Sequence, residues 1–337
     1  MPDYFVFGGC LRSELLFPEL TETGGRAPDW TLKVAKLAAD ESAEILSCAS
    51  LSRSCHIRVT RNNKAFRYSH SCTGTFEVSE NGREIAFEPV SGGDLNTART
   101  DFVSRVLLSC VNTGDVTWLH GSAVRIGNSA VAFLGPSGAG KSTLALALAR
   151  AGAYHICDDT LPVETSPDPI IYPSDRVIRL RADSRRRLAS HASAIRRETD
   201  GKFVLTQDAI CRNEEVTSRD EREERTPLGA LYLLSPVSMP ESPQPDDAHG
   251  RRHLLPPRLA VPALMQHVKL GPVIRAEDPA HYMQRLGVIA RTVPVFELRV
   301  PRDWSVVDHV VTQLLAWHSQ SELGGEPPVF MAAPVSA

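Results

Sequence analysis

No stretch of this sequence is apolar for long enough to span a bilayer. Its first twenty residues, MPDYFVFGGCLRSELLFPEL, have an early acid and no basic run ahead of the apolar ones. The expectation is a cytoplasmic protein with neither a signal peptide nor a membrane anchor. The seven cysteines, Cys10, Cys48, Cys55, Cys72, Cys110, Cys157 and Cys211, are odd in number and lack a C-x-x-C pair or the short spacings of a zinc site. That argues against a disulfide framework and fits a reducing compartment. Charge is close to balanced, with 37 basic and 40 acidic residues and a formal net charge of −3. A general attraction for nucleic acid or anionic lipid is therefore not expected, and any basic patch must be local. No internal repeat is visible, which sets solenoid architectures aside.

What is there suffices for a sizeable core: 42% of 337 residues are apolar, enough for one large domain or two smaller ones. From about Tyr4 to Pro89 short extended pieces dominate, such as CHIRVTR, AFRYSH and GTFEVS, with a hairpin turn at Asn81-Gly82. Phe102, Val103, Val106, Leu107 and Val111 then fall at helical spacing and predict a connecting helix that ends near Gly114. Three apolar runs follow, the last two separated by Gly127-Asn128, a two-residue hairpin turn.

The third run feeds FLGPSGAGKSTLALALARAGAYHICDD, residues 133–159. Gly135, Pro136, Ser137, Gly138, Ala139, Gly140, Lys141 and Ser142 satisfy G-x-x-x-x-G-K-[ST] in full, between an apolar strand and an apolar helix. Glycines at the helix entrance let successive N–H groups turn inward onto phosphate oxygens, a cradle that extends to Thr143. Lys141 is the residue expected to reach the terminal phosphates, and the Ser142 hydroxyl to hold Mg²⁺. The bland reading of the segment is an ordinary glycine-rich turn.

Asp158 and Asp159 end the next strand, where an open α/β sheet places its chemistry. One carboxylate is needed for the metal, and Asp158 is the candidate; the other, Asp159, is free to take the proton of an attacking hydroxyl. Which aspartate does which is left open, as is the reading in which one merely caps a turn. A GTPase would carry N-K-x-D, and Asn63-Lys64-Ala65-Phe66 fails that test. His120, in WLHGSAV, closes the strand before the hairpin and is placed to approach the aspartates, or to be satisfied by a neighbouring carbonyl. Arg176, Arg179, Arg181 and Lys202 are secondary candidates for charge over a migrating phosphoryl group, against the plain alternative of solvated surface residues. The basic run Arg185-Arg186-Arg187 with Arg196-Arg197 either meets an acidic peptide or faces water, the second being the preferred reading, and residues 211–227 and 236–258 read as solvated loops.

The stretch LHGSAVRIGNSAVAFLGPSGAGKSTLALALARAGAYHICDD resembles the catalytic domain of HPr kinase/phosphorylase: His-Gly, hairpin, phosphate loop, helix and Asp-Asp in order. The close match covers about forty residues. The resemblance implies an α/β P-loop kinase domain of the HPr kinase type, a phosphate loop at Gly135 to Ser142, catalytic roles for His120 and Lys141, and an aspartate base in the pair. It departs in lacking the family's downstream E-x-R-G-L-G, SDRVIRLRAD standing there instead, which puts phosphorolysis in doubt. The N-terminal YFVFGGCLRSELLFPEL is similar to shorter HPr-kinase-like proteins of lasso-peptide biosynthesis, which phosphorylate precursor peptides.

The expected organisation is a β-rich region at 1–95, a P-loop kinase domain at 96–320 and a flexible tail at 321–337. ATP and Mg²⁺ are the expected cofactors and a peptide with an acceptor serine the expected partner, with no nucleic acid or membrane and with self-association left open. A kinase of free serine or a related metabolite, and a nucleotide-binding regulator without transfer activity, are the alternatives.

Overall fold

Residues 1–39, 42–50, 55–110, 116–165, 168–174, 177–192, 194, 196–197, 201–206, 225–237, 251–269 and 279–319 are described by a computed structural model. Arg176, most of the expected loops at 211–227 and 236–258, and the tail at 321–337 lie outside them.

Extended pieces of the N-terminal region become nine strands: β1 (Asp3–Val6), β2 (Gly9–Ser13), β3 (Thr21–Thr23), β4 (Trp30–Val34), β5 (Glu44–Ser50), β6 (His56–Arg61), β7 (Ala65–His70), β8 (Gly74–Ser79) and β9 (Glu84–Pro89). They form one sheet in the order β3-β1-β2-β4-β9-β8-β7-β6-β5. Strict alternation along β7 and β8 buries Phe66, Tyr68 and His70 on one side and Phe76 and Val78 beside them. The helix expected after residue 91 is α1 (Leu95–Asp101), which runs through a π turn (Phe102–Val106) into α2 (Leu107–Cys110). Asp94 caps it by accepting from the N–H groups of Asn96 and Thr97. Its Phe102, Val106 and Leu107 are buried in the same core as the sheet's Phe76 and Phe87. Each such aromatic contributes about 1.5–3 kcal/mol by leaving water.

The second part contains β10 (Val116–Leu119), β11 (Gly121–Ile126), β12 (Ser129–Leu134), α3 (Lys141–Arg150), β13 (Tyr154–Cys157), β14 (Leu161–Glu164), β15 (Ile170–Ile171), β16 (Val177–Leu180), α4 (Ala182–Leu188), β17 (Arg196–Arg197) and β18 (Phe203–Thr206). Then come β19 (Thr226–Val237), β20 (Arg251–Leu254), α5 (Pro257–Met265), α6 (Pro279–Thr292), β21 (Val295–Pro301) and α7 (Val307–Ser319). The β11–β12 hairpin turns at Gly127-Asn128 as the sequence predicts, with Gly127 at φ 58°. Strands β12, β19 and β21 run parallel, while β13 and β11 pair antiparallel at one edge. A branch of β10, β14 and β15 joins the start of β19.

Both faces of this sheet are covered. Val131 and Phe133 of β12 pack with Leu144 and Leu148 of α3 and Val310 and Leu314 of α7, whereas Ala132 and Leu134 pack with Leu264 of α5 and Leu286 and Ile289 of α6. The molecule is mixed α/β with two large sheets. Among the described residues no helix is long and apolar enough to cross a membrane.

Two elements differ from expectation. The basic stretch after Arg181 is not all water-facing coil: α4 holds Arg185, Arg186 and Arg187 in its last turn, beside the negative end of the helix. Arg185 lies 4.6 Å over the Phe203 ring and Arg187 5.2 Å over the Trp304 ring. Packing of Ile178, Leu180, Ala189 and Leu205 against Leu146 of α3 holds the small β16-β18-β17 sheet to the main body. At residues 251–254 a loop is expected and an edge strand is found, because antiparallel pairing with β21 outweighs the local composition.

Candidate active site

The glycine loop leaves β12 at Gly135, whose φ of 152° and close neighbours suit only glycine: a Cβ there would lie 3.2 Å from Ala139 Cβ and from the Leu234 carbonyl oxygen. It enters α3 at Gly140, the N-cap, at φ 97°. Together they expose the N-terminus of a ten-residue helix to a cavity of about 330 Å³. Loop residues Ser137 to Thr143, His120, both aspartates, Arg179, Arg181 and Lys202 line this cavity, and Leu234, Val300 and Trp304 form an apolar part of its wall. Gly135 and Pro136 are not in the lining. Their carbonyls accept from Lys141 Nζ at 2.8 and 3.1 Å and hold that buried ammonium under the loop. Burial lowers the Lys141 pKa, with Lys202 acting in the same direction and the two aspartates opposing.

Asp158 is 2% exposed and fully engaged. Its Oδ1 accepts from the hydroxyls of Ser122 at 2.5 Å and Ser142 at 2.7 Å, and its Oδ2 accepts from the Arg179 backbone N–H at 2.9 Å. The hydroxyl at the end of the glycine loop and the carboxylate at the end of β13 therefore meet directly. Thr143, in the next position, turns its hydroxyl to Ser184 of α4 at 3.0 Å.

Asp159 faces the cavity from a left-handed backbone, φ 69°, a conformation shared only by Phe7 among the described non-glycine residues. Its Oδ2 accepts from Lys269 Nζ at 2.5 Å and its Oδ1 lies 3.4 Å from His120 Nδ1. Burial would raise its pKa, but the combined charges of Lys269, Arg179 and His120 and the Lys269 hydrogen bond hold it well below the usual carboxylate range. His120 Nδ1 is also 3.1 Å from the Asp159 carbonyl oxygen. A carbonyl only accepts, so Nδ1 carries the hydrogen. Burial, together with Lys141 and Lys269, lowers the His120 pKa against the pull of Asp159.

Sequence reasoning missed three contributors. Ser122 is a hydroxyl buried at the start of β11, two residues past His120 and ahead of Ala123 and Val124, and that position is a usable signal. Lys269 has no such signal: the chain brings it in through a one-pair bridge between Leu119 and Val268, fixed by bonds from His120 N to His267 O and from Lys269 N to Trp118 O, both 2.7 Å. Trp304 sits on a 3₁₀ turn after β21. Of the secondary candidates, Arg179, Arg181 and Lys202 come together on the cavity wall, and Arg176 is outside the described residues.

No family model matches this sequence. Neither does any curated protein. Among solved structures, the Hpr(Ser) kinase/phosphatase from Coxiella burnetii is similar over 61% of this chain and 98% of its own, at 14% identity and a TM-score of 0.32.

Proposed function

We propose that this protein is an ATP- and Mg²⁺-dependent kinase of the HPr kinase type that transfers the γ-phosphate to a serine hydroxyl of a peptide, in the manner of enzymes that modify lasso-peptide precursors. One observation carries the reading: the Ser142 hydroxyl of a complete G-x-x-x-x-G-K-S loop donates to Asp158 Oδ1 at 2.7 Å, with a second carboxylate, Asp159, adjacent and facing the cavity. The left-handed backbone at Asp159 is local strain of the kind that gathers at functional sites.

Ser142 and Asp158 offer hard oxygen donors at one point, the donor type that Mg²⁺ takes. Ser142 and Asp158 would hold that ion, which would supply positive charge against the transferring phosphates when ATP is bound. The N–H groups of the loop and the first turn of α3 hold the phosphate chain, and Lys141 exchanges its carbonyl partners for the terminal phosphate oxygens. Arg179, Arg181 and Lys202 add positive charge from the cavity lining. Asp159 accepts the hydrogen bond of the serine hydroxyl and takes its proton as the new O–P bond forms and the bond from the γ-phosphorus to the departing ADP oxygen breaks. Its low pKa suits late proton acceptance in a loose transition state better than early abstraction. His120 supports this from behind, donating through Nδ1 to the Asp159 backbone.

Size favours a peptide acceptor, since the β-rich region at 1–95 and the cationic wall supply more surface than a free amino acid needs. A precursor peptide ending in serine, incubated with ATP and Mg²⁺, gains one phosphate by mass spectrometry and loses that gain when the serine becomes alanine. Efficient phosphorylation of free serine with none on the peptide would replace this reading by a metabolite kinase. ADP release that ignores every acceptor would replace it by a regulator.

A further inference from the structure

The linear spacing of cysteines gives no metal motif, yet the fold assembles one in the N-terminal sheet, apart from the glycine loop. The β6–β7 ladder pairs Ile57 with His70, and bonds between His56 and Ser71 carry that pairing past the strand ends, so Cys55 stands opposite Cys72. One donor atom from each of Cys55, His70 and Cys72 lies within 4.8 Å of the other two, and Cys55 Sγ is 3.3 Å from His70 Nε2. Both cysteines are free thiols. Cys72 lies in the turn that follows β7, two residues past His70, and that turn, closed by a bond from Thr73 N to His70 O at 3.0 Å, brings its thiol beside the ring.

His70 is the side chain that asks for an explanation. It occupies the inward face of β7 with Phe66 and Tyr68, is 5% exposed, and its buried Nδ1 has no hydrogen-bond partner. Asp101, in the last turn of α1, has a buried Oδ2 with no hydrogen-bond partner either. A thiol is a poor partner for a buried imidazole, and orphaned buried polar atoms are rare because each forfeits its hydration. A cation on Nε2 changes the balance: the ring becomes fixed with its hydrogen on Nδ1, directed toward acceptors of the Asp101 kind, as ligand histidines commonly are.

We propose that Cys55, His70 and Cys72 form a binding site for a thiophilic divalent cation of the zinc class, with solvent as fourth ligand on the side of the exposed Cys72. In a tetrahedral zinc site, with bonds of about 2.0–2.3 Å, ligand atoms stand about 3.5–3.8 Å apart, so closure by about an ångström at the widest edge completes it. The exposed Cys72 side chain has the freedom to supply that movement. Two sulfurs and an imidazole select against Mg²⁺, so the site does not compete for the metal of the glycine loop. Each thiol that binds as thiolate releases one proton. The ion joins the two ends of the β6–β7 hairpin.

The test uses the full chain, purified with reductant, freed of metal by chelator and titrated with Co²⁺ alone. One equivalent is expected to produce a sulfur-to-cobalt charge-transfer absorption, which Zn²⁺ displaces and which is lost in Cys72→Ser and in Cys55→Ser. Cys72 is exposed, so its variant keeps the fold and isolates the ligand role. Zinc should also raise the melting temperature of the parent and leave that of Cys72→Ser unchanged. Absence of the sulfur band when thiol titration shows both cysteines reduced would overturn the site. So would an undiminished band in the Cys55→Ser/Cys72→Ser double variant, or a Cys55–Cys72 disulfide persisting under the same reductant.

Discussion

Lys269 Nζ donates to Asp159 Oδ2 at 2.5 Å across 110 residues of sequence, and the backbone bridge that carries Lys269 is the one that also fixes His120. His120 and Lys269 therefore address different oxygens of Asp159 from a single pair of chain segments. Any shift of β10 moves both together.

Replacing Lys269 by Met tests that arrangement. With one opposing charge gone, the Asp159 pKa rises from its depressed value, so the carboxylate is lost at a higher pH than in the parent. The acidic limb of the kcat/KM profile is expected to move upward in pH, with ATP affinity retained and rate partly recovered as pH increases. Arginine at this position should keep part of the effect. An acidic limb that stays where it was would show that Lys269 does not set the state of Asp159.

The two aspartates should separate cleanly. Asp159→Asn keeps the fold and ATP binding and is expected to lose transfer by about 10²–10⁴-fold, the usual loss when a general base is removed. Asp158→Asn should also weaken the protein itself: its NH₂ would face the Ser122 and Ser142 hydroxyls, which must turn from donors to acceptors, and three hydrogen bonds to a charged group become neutral ones, at a cost of about 1–3 kcal/mol. It should also raise the Mg²⁺ concentration needed for turnover. Near-normal transfer in both variants, measured by ADP release across Mg²⁺ concentrations, would remove the carboxylates from the mechanism.

How much of this is legible in the sequence follows the range of the interactions. The loop, the hairpin at Gly127-Asn128 and the Asp-Asp strand end are local, each set by residues within a few positions, and they can be read directly. Asp158 and Ser142 are only 16 positions apart and joined by one helix, so their meeting is nearly implied by the motif. Lys269 and Trp304 arrive by tertiary routes that leave no periodicity, and the Cys55-His70-Cys72 cluster appears only once strand register sets residue 55 opposite 72. The α4 helix is hard to read because its arginines look like solvated coil, although their ring contacts and the packing of Ala189 against Leu146 define it.

Stability should fall on the acid side for a reason independent of catalysis. His155, on β13, is fully buried, and burial pushes its pKa down to about 4 against the pull of Asp158; burial, with Arg252, does the same to His318. In the unfolded chain each titrates near 6.5. Between about pH 6.5 and 4 the unfolded state thus binds protons that the folded state does not, and the stability present above that window is lost as pH falls through it. For His155 alone this amounts to something on the order of 3 kcal/mol. Urea midpoints measured from pH 7 to 4 should decline, and His155→Leu should flatten the decline; an equal slope in the variant would assign it to other groups.

The glycine loop does not touch the nucleotide base. Phosphates held at the entrance of α3 leave the base to find its own surface, and the apolar wall of the cavity is formed by Leu234, Val300 and Trp304. Two contacts hold Trp304 in that wall. Asp303 caps its turn by accepting from the Ser305 N–H at 2.8 Å, and Arg187 lies 5.2 Å over the indole. A base stacked on an aromatic ring is worth about 1–3 kcal/mol by alanine substitution. Stacking is equal in ground and transition states, so its loss should raise KM for ATP by roughly ten- to a hundredfold with kcat little changed. Trp304→Ala should show that pattern, Arg187→Ala a weaker form of it, and the quench of tryptophan fluorescence by ATP in the parent should disappear in Trp304→Phe. If Trp304→Ala folds normally and keeps the parental KM for ATP, the base lies elsewhere and the apolar wall serves the acceptor instead.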